Sequence, residues 1–131
     1  MTEEIPENCR FTDEHEWARD NGDGVVTVGI SHHAQDALGD IVFIEFPVVG
    51  ESVDQGEAFG VIESVKTVSD LYTPVTGEVV ELNDELETAP ELVNESPYDE
   101  GWIARIEMSS PDELQELMDA AEYAATLENG G

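Results

Sequence analysis

Pro47-Val48-Val49-Gly50-Glu51-Ser52-Val53 returns 27 residues later as Pro74-Val75-Thr76-Gly77-Glu78-Val79-Val80, alike at five of seven positions. A turn-and-strand unit used twice at so short a spacing predicts two half-sandwiches related by an approximate two-fold axis. The second copy reads as a type I turn, with Pro74 presetting the dihedral at its second position and Gly77 closing it. Few helix signals interrupt residues 41–83. The expected class is therefore mainly β, two antiparallel sheets packed as a sandwich.

Working outward, residues 11–20 lead into Asn21-Gly22-Asp23-Gly24 and then the β-branched run Val25–Ile30, which predicts strand, turn and strand. The acids of that turn superficially suggest a calcium loop, but its twelfth position would be Ser31, not a bidentate Glu. Ser31 caps an expected short helix, His32–Leu38, with Gly39 as its left-handed exit. Two turns are not stable alone in water, so this helix must dock on the sheets. A strand over Ile41–Phe46 follows. Near the other end, Ser110, Pro111 and Glu113 read as a capping box, and Leu114, Leu117, Met118 and Ala121 keep helical spacing. One C-terminal helix over 111–127 is expected, with 128–131 frayed. The whole reads as one domain, 1–131, with a core over 11–107.

Thirty-two acids against four bases give a net charge of −28. That field repels nucleic acid and anionic membranes, and it suits a surface working in high salt, where counterions screen self-repulsion. A monomer is expected. Apolar runs such as Val25–Ile30 are too short to cross a bilayer, and Thr2, Glu3 and Glu4 offer no secretory signal, so the expected location is cytoplasmic. Cys9 is the only cysteine, which leaves no internal disulfide, C-x-x-C pair or thiolate zinc cluster. Redox chemistry would have to come from an added group.

The four bases are Arg10, Arg19, Arg105 and Lys66. The single lysine stands within Glu63-Ser64-Val65-Lys66-Thr67-Val68-Ser69-Asp70, a polar stretch between the strand-like Gly60-Val61-Ile62 and Leu71-Tyr72; chance alone could leave one lysine in so acidic a chain, so its surroundings decide its meaning. This places Lys66 at a hairpin tip. A group amide-linked there sweeps a wide arc while the sheets stay rigid, and tethering gives it a high effective concentration at each site it visits.

Glu63-Ser64-Val65-Lys66, Ser69-Asp70, Pro74 and Gly77 resemble the lipoylation segment of glycine cleavage H proteins. The resemblance continues through His15-Glu16-Trp17, Ala34-Gln35 and Leu38-Gly39-Asp40-Ile41-Val42 upstream, and Asn94, Ser96-Pro97-Tyr98 and Gly101-Trp102 downstream. Lipoyl domains of 2-oxoacid dehydrogenases would show Asp-Lys-Ala at the tip and biotin carriers Met-Lys-Met; neither is present. The resemblance implies a barrel-sandwich hybrid of the lipoyl/biotinyl kind with a short internal helix and a C-terminal helix. It also implies lipoate on Lys66 and a carrier that is not itself an enzyme. The implied partners are the PLP-dependent glycine decarboxylase (P protein), the tetrahydrofolate-dependent aminomethyltransferase (T protein), the NAD-linked dihydrolipoamide dehydrogenase (L protein) and the lipoylating enzymes.

The family pattern further implies that Gly50, Glu63, Asp70 and Gly77 help the lipoylating enzyme recognise the hairpin, although ordinary turn glycines would explain Gly50 and Gly77 equally well. Asp70 and Thr67 are small departures from that pattern. Loaded arms in this family are thought to fold into a surface cleft, and Glu16 and Asp70 are the expected partners of the aminomethyl ammonium there, unless they are simply solvated acids. His32 and His33 diverge by about 100° on a helix and do not share a metal. Trp17 and Trp102 read as core or cleft walls. No nucleophile with an ordered base, phosphate loop or metal cluster can be assembled. Two other readings remain: a lipoyl relay serving other lipoate-dependent enzymes, and an unmodified acidic interaction module.

Overall fold

The computed structural model describes residues 5–128. In chain order its strands are β1 (Cys9–Phe11), β2 (Glu16–Asp20), β3 (Val25–Ile30), β4 (Ile41–Glu45), β5 (Ser52–Val53), β6 (Ala58–Ser64), β7 (Val68–Tyr72), β8 (Gly77–Leu82) and β9 (Ala104–Met108). The helices are α1 (His32–Leu38), α2 (Leu92–Glu95) and α3 (Ala120–Glu128). One sheet runs β1-β2-β3-β9-β8-β5 and the other β4-β6-β7, with every pairing antiparallel. The expected two-sheet architecture is what forms.

Alternation along the strands builds the core. Val26, Val28, Ile106 and Val79 from the larger sheet meet Ile44, Ile62 and Leu71 from the smaller, and Leu86 and Val93 pack with them. A second buried cluster, Cys9, Phe11, Trp17 and Tyr123, holds α3 to the β1–β2 end of the larger sheet. β3 is buried along almost its whole length, which is why Val25–Ile30 reads as a nearly continuous apolar run. Gly29 belongs to this packing, since a β-carbon there would fall 2.8 Å from the indole of Trp17.

The two copies of the repeat pair with each other. Ser52 faces Glu78, Val53 faces Gly77, and the Val79 amide donates to the Glu51 carbonyl at 2.9 Å. Their glycines nevertheless do different work. Gly50, with φ +96°, occupies the third position of a turn closed by the Glu51 amide on the Val48 carbonyl. Gly77 is not a turn residue, contrary to expectation. It opens β8 opposite Met108, and a β-carbon there would overlap the Glu107 carbonyl. The preceding turn is held by the Thr73 hydroxyl, which donates to the Val75 carbonyl at 2.6 Å.

The single C-terminal helix expected over 111–127 does not form. Pro111–Glu116 winds a 3-10 helix, Leu117 is extended, and Met118 pairs with Phe11 through two backbone hydrogen bonds of 2.8 and 2.9 Å. Ser110 makes no side-chain cap, and Glu113 turns away to accept from the Thr76 amide and hydroxyl at 2.7 and 2.8 Å. The capping box lies later, where Asp119 and Glu122 exchange side-chain and amide bonds at the start of α3. Leu114 and Leu117 pack on the main core and Met118 on the second cluster, so the helical spacing arises from two segments covering two cores. Of the residues expected to fray, 129–131 lie outside the described residues.

Helix α1 spans the residues expected. Ser31 accepts from the Ala34 amide at 3.1 Å, and Gly39 ends the helix at φ +85°, ψ −162°, a positive-φ exit that lies outside the αL region. In the β2–β3 turn, Asp20 and Asp23 accept from the amides of Gly22 and Val25. Those carboxylates brace the hairpin.

Candidate functional site: a lysine hairpin and an acidic cleft

Lys66 sits at the tip joining β6 to β7. The tip is rigid for local reasons. The Ser64 amide donates to the Thr67 carbonyl at 2.8 Å, and the Ser64 hydroxyl accepts from the amides of Lys66 and Thr67, both at 3.2 Å. A longer-range brace joins it, the Val65 amide donating to the Asp40 carbonyl at 3.0 Å. Asp40 is in turn fixed by Asn94, whose side chain donates to the Gly39 carbonyl and accepts from the Ile41 amide. Asn94 thus holds both peptides flanking the residue on which the tip hangs. In the sequence, Asn94 stands out only through the resemblance it shares.

The Lys66 side chain is exposed, and its ammonium makes no ion pair among the described residues, in a chain with 32 acids. Its stem lies across Gly39. The amine is therefore presented to solvent from a stiff base, and an acyl group can reach it.

At the far end of β7 a cleft of 560 Å³ opens, lined among others by Phe11, Glu14, Glu16, Tyr72, Pro74 and Met118. Asp13, Glu14, Glu16 and Glu116 make it acidic, and no basic side chain is among its lining residues. Val68 to Tyr72 covers roughly 13 Å at about 3.3 Å per residue, which sets the distance from the tip. Glu16 is 4% exposed. Its carboxyl accepts from the Thr12 hydroxyl at 2.6 Å and from the Tyr72 amide at 3.3 Å. Burial pushes it up to about 7, against the pull of those two bonds, and Glu14 adds to the rise. The preceding residue, His15, has φ +70°, and its Nδ1 lies 2.8 Å from the Tyr123 hydroxyl, so α3 helps hold the bend that turns Glu16 inward.

The expected site residues fall in three places. Lys66, Glu63 and Asp70 share the β6–β7 hairpin; Glu63 pairs with Val68, and Asp70 pairs with Val61. Glu16 lies in the cleft, whereas Asp70 is exposed and does not line it, standing two residues before Tyr72 on the same face of β7. Gly50 and Gly77 belong to the other sheet and its edge turn. Trp17 is core, its indole N–H donating to the Ile30 and Pro97 carbonyls, and Trp102 stacks under Arg105; neither lines the cleft. His33 faces His15, at 4.7 Å between ring centroids, while His32 contacts Gln35. Among the described residues no three His, Cys, Asp or Glu groups gather as metal ligands.

A family model described as glycine cleavage H-protein matches residues 9–130. Over 124 residues the chain is 59% identical to the glycine cleavage system H protein of Vibrio parahaemolyticus, covering 95% of this chain and 98% of that one. It is 56% identical over 123 residues to the protein of that description from Chromohalobacter salexigens, 94% of each chain. The crystal structure of a glycine cleavage system H protein from Mycobacterium marinum matches with a TM-score of 0.87 at 40% identity, over 95% of this chain and 99% of that one.

Proposed function

Because the chain belongs to the glycine cleavage H-protein family, we propose that it carries lipoate in amide linkage on Lys66 and shuttles the aminomethyl group of glycine between enzymes. It is a carrier component of the glycine cleavage system and not a catalyst. The P protein would load it, the T protein would take the one-carbon unit and release ammonia, and the L protein would reoxidise it with NAD. When attached, lipoate supplies a five-membered disulfide that accepts the aminomethyl group on one sulfur and is afterwards restored by oxidation.

The observation that carries this reading is Lys66 itself, the only lysine, held on a braced tip with no ion pair among the described residues. The cleft supports the second half of the cycle. Its apolar wall of Phe11, Pro74, Leu117 and Met118 suits an alkyl chain, and its four acids suit an ammonium. Glu16 would meet that ammonium. A carboxyl at about 7 is close to balance between acid and anion near neutrality, so an arriving cation draws the proton off and gains a charge-assisted hydrogen bond. Asp70 would act earlier, on the path along β7 between Lys66 and the cleft. Glu63 and Asp70, flanking the tip, would be read by the lipoylating enzyme, with Gly50 preserving the edge turn and Gly77 the β8–β9 pairing behind it.

No helix among the described residues is long and apolar enough to cross a membrane. We place the protein in the cytoplasm as a monomer, since a charge of −28 opposes self-association.

The test is the intact mass of protein purified from its native host, with peptide fragmentation to locate any added mass. A lipoyl increment on Lys66, together with loss of glycine-dependent CO₂ exchange in Lys66→Arg, is expected. An unmodified Lys66 in cells that make lipoate would remove the carrier role and favour an interaction module.

A further inference from the structure

Four large apolar side chains stand in the open around Lys66. Val42 is 52% exposed, Phe43 51%, Val65 67% and Val68 62%. Phe43, Glu63 and Val68 form one row across β4, β6 and β7, and antiparallel partners point their side chains to the same face. The register slips between Ile41 and Phe43, making Val42 the bulged residue, which explains why two consecutive residues on β4 are both exposed. Val65 sits in the tip beside Lys66, and Val68 opens the strand that leaves it. The next outward row is Glu45, Val61 and Asp70. Acids are therefore interleaved with the apolar groups, and Asp40 lies at the tip's anchor.

We propose that this outer face of the three-stranded sheet is the shared docking surface for the enzymes the carrier visits, each meeting it with an apolar depression bordered by lysine or arginine. The proposal rests on the carrier reading above. The charge pattern selects the occupant. A second copy would bring its own net charge of −28 against this one, with acids again bordering the face, and anionic membranes or nucleic acids are repelled likewise. A partner with a basic border is attracted at long range, and the apolar row supplies the contact that salt does not weaken. Four side chains make a small interface of the transient class, which suits a carrier that must leave each enzyme quickly. Since the contact face runs up to the tip that bears the lysine, the partners bind one at a time.

The test compares Phe43→Thr/Val68→Thr with Val48→Thr/Val49→Thr, which removes apolar groups 69% and 54% exposed in the turn after β4. Each is brought to full lipoylation, read by intact mass, and checked for an unchanged Tm. In glycine–CO₂ exchange by the P protein and in reoxidation by the L protein, the first pair should raise the KM for the carrier at least tenfold at nearly constant kcat. The second pair should match wild type, and excess T protein should inhibit both assays competitively. An unchanged KM for Phe43→Thr/Val68→Thr with Lys66 lipoylated overturns the docking surface alone. So does a concentration-dependent dimer that this pair abolishes, which would make the face a contact between copies. A Lys66 never modified in the native host overturns the carrier reading first, and the docking surface with it.

Discussion

The stem of Lys66 lies directly over Gly39, so that a β-carbon on Gly39 would stand 3.0 Å from Lys66 Cε. This joins the exit of α1 to the base of the arm. At φ +85° and ψ −162° Gly39 occupies a backbone region essentially reserved for glycine. Gly39→Ala should therefore cost roughly 1–3 kcal/mol, lower Tm by several degrees, and displace the lysine stem. The measurement is the rate of lipoylation in vitro at a temperature where the variant is folded. A rate equal to wild type would mean the contact does not position the arm.

The repeat glycines separate structure from recognition. Gly50→Ala places its methyl in open space and bears only the strain of φ +96°, roughly 1–2 kcal/mol. Gly77→Ala drives its methyl into the Glu107 carbonyl and should open the β8–β9 pairing, at a cost of roughly 3 kcal/mol or more. Urea unfolding gives both numbers. If both variants were as stable as wild type and both failed to be lipoylated, direct reading of these glycines by the enzyme would be the better account.

How far the sequence discloses this follows from the range of each interaction. Ser31, Gly39 and the run Val25–Ile30 act on neighbours within a few residues, so α1 and β3 are legible in advance. Lys66 is legible because composition isolates it and its flanks are strand-like. Gly77 misleads because its constraint comes from Glu107, thirty positions away, and not from its own turn. Pro111–Glu116 misleads because Glu113 is claimed by Thr76 and Met118 by Phe11, tertiary bonds that outcompete a helix whose local signals are sound. Asn94's clamp and the burial of Glu16 are likewise invisible without the fold. Burial decides the latter's chemistry.

Glu16 should leave a signature in the pH dependence of stability. Burial raises its carboxyl from 4.5 to about 7, so folding favours the neutral acid. Its contribution is fully present below about 4.5 and is lost as pH rises through about 7. The shift corresponds to something on the order of 3 kcal/mol. In Glu16→Gln that dependence is absent. The difference in unfolding free energy between variant and wild type should therefore move in the variant's favour from pH 4.5 to pH 8, while the other acids cancel. Parallel pH curves would show that Glu16 titrates as it does when unfolded.

Cys9 should be chemically silent in the folded protein. It is 1% exposed, and burial pushes its thiol up to about 11 despite the opposing influence of Arg19. At pH 8 hardly any thiolate exists, and what exists is covered. Iodoacetamide should add no mass over hours to the native protein and label it completely in denaturant. Rapid labelling of the native form would mean that β1 opens readily, taking the second core cluster with it.

Salt should stabilise this protein strongly, for reasons the charge distribution makes specific. Arg105–Glu81 is the only ion pair among the described residues, at 2.7 Å and half in solvent, so screening has little attraction to weaken. Against it stands the mutual repulsion of a −28 chain, which reaches across the whole domain when the Debye length is about 30 Å in 0.01 M salt and is cut to about 3 Å in 1 M. Unfolding relieves that repulsion by spreading the charges apart, so screening favours the folded state. A gain of about 3 kcal/mol between those salt concentrations would raise Tm by roughly 10 °C. Because the cause is screening, sodium, potassium and tetramethylammonium chlorides should act nearly alike, and an uncharged osmolyte at equal osmolality much less. A Tm indifferent to salt would locate the compensation in the fold itself, and a strong preference for one cation would point to site binding in place of screening.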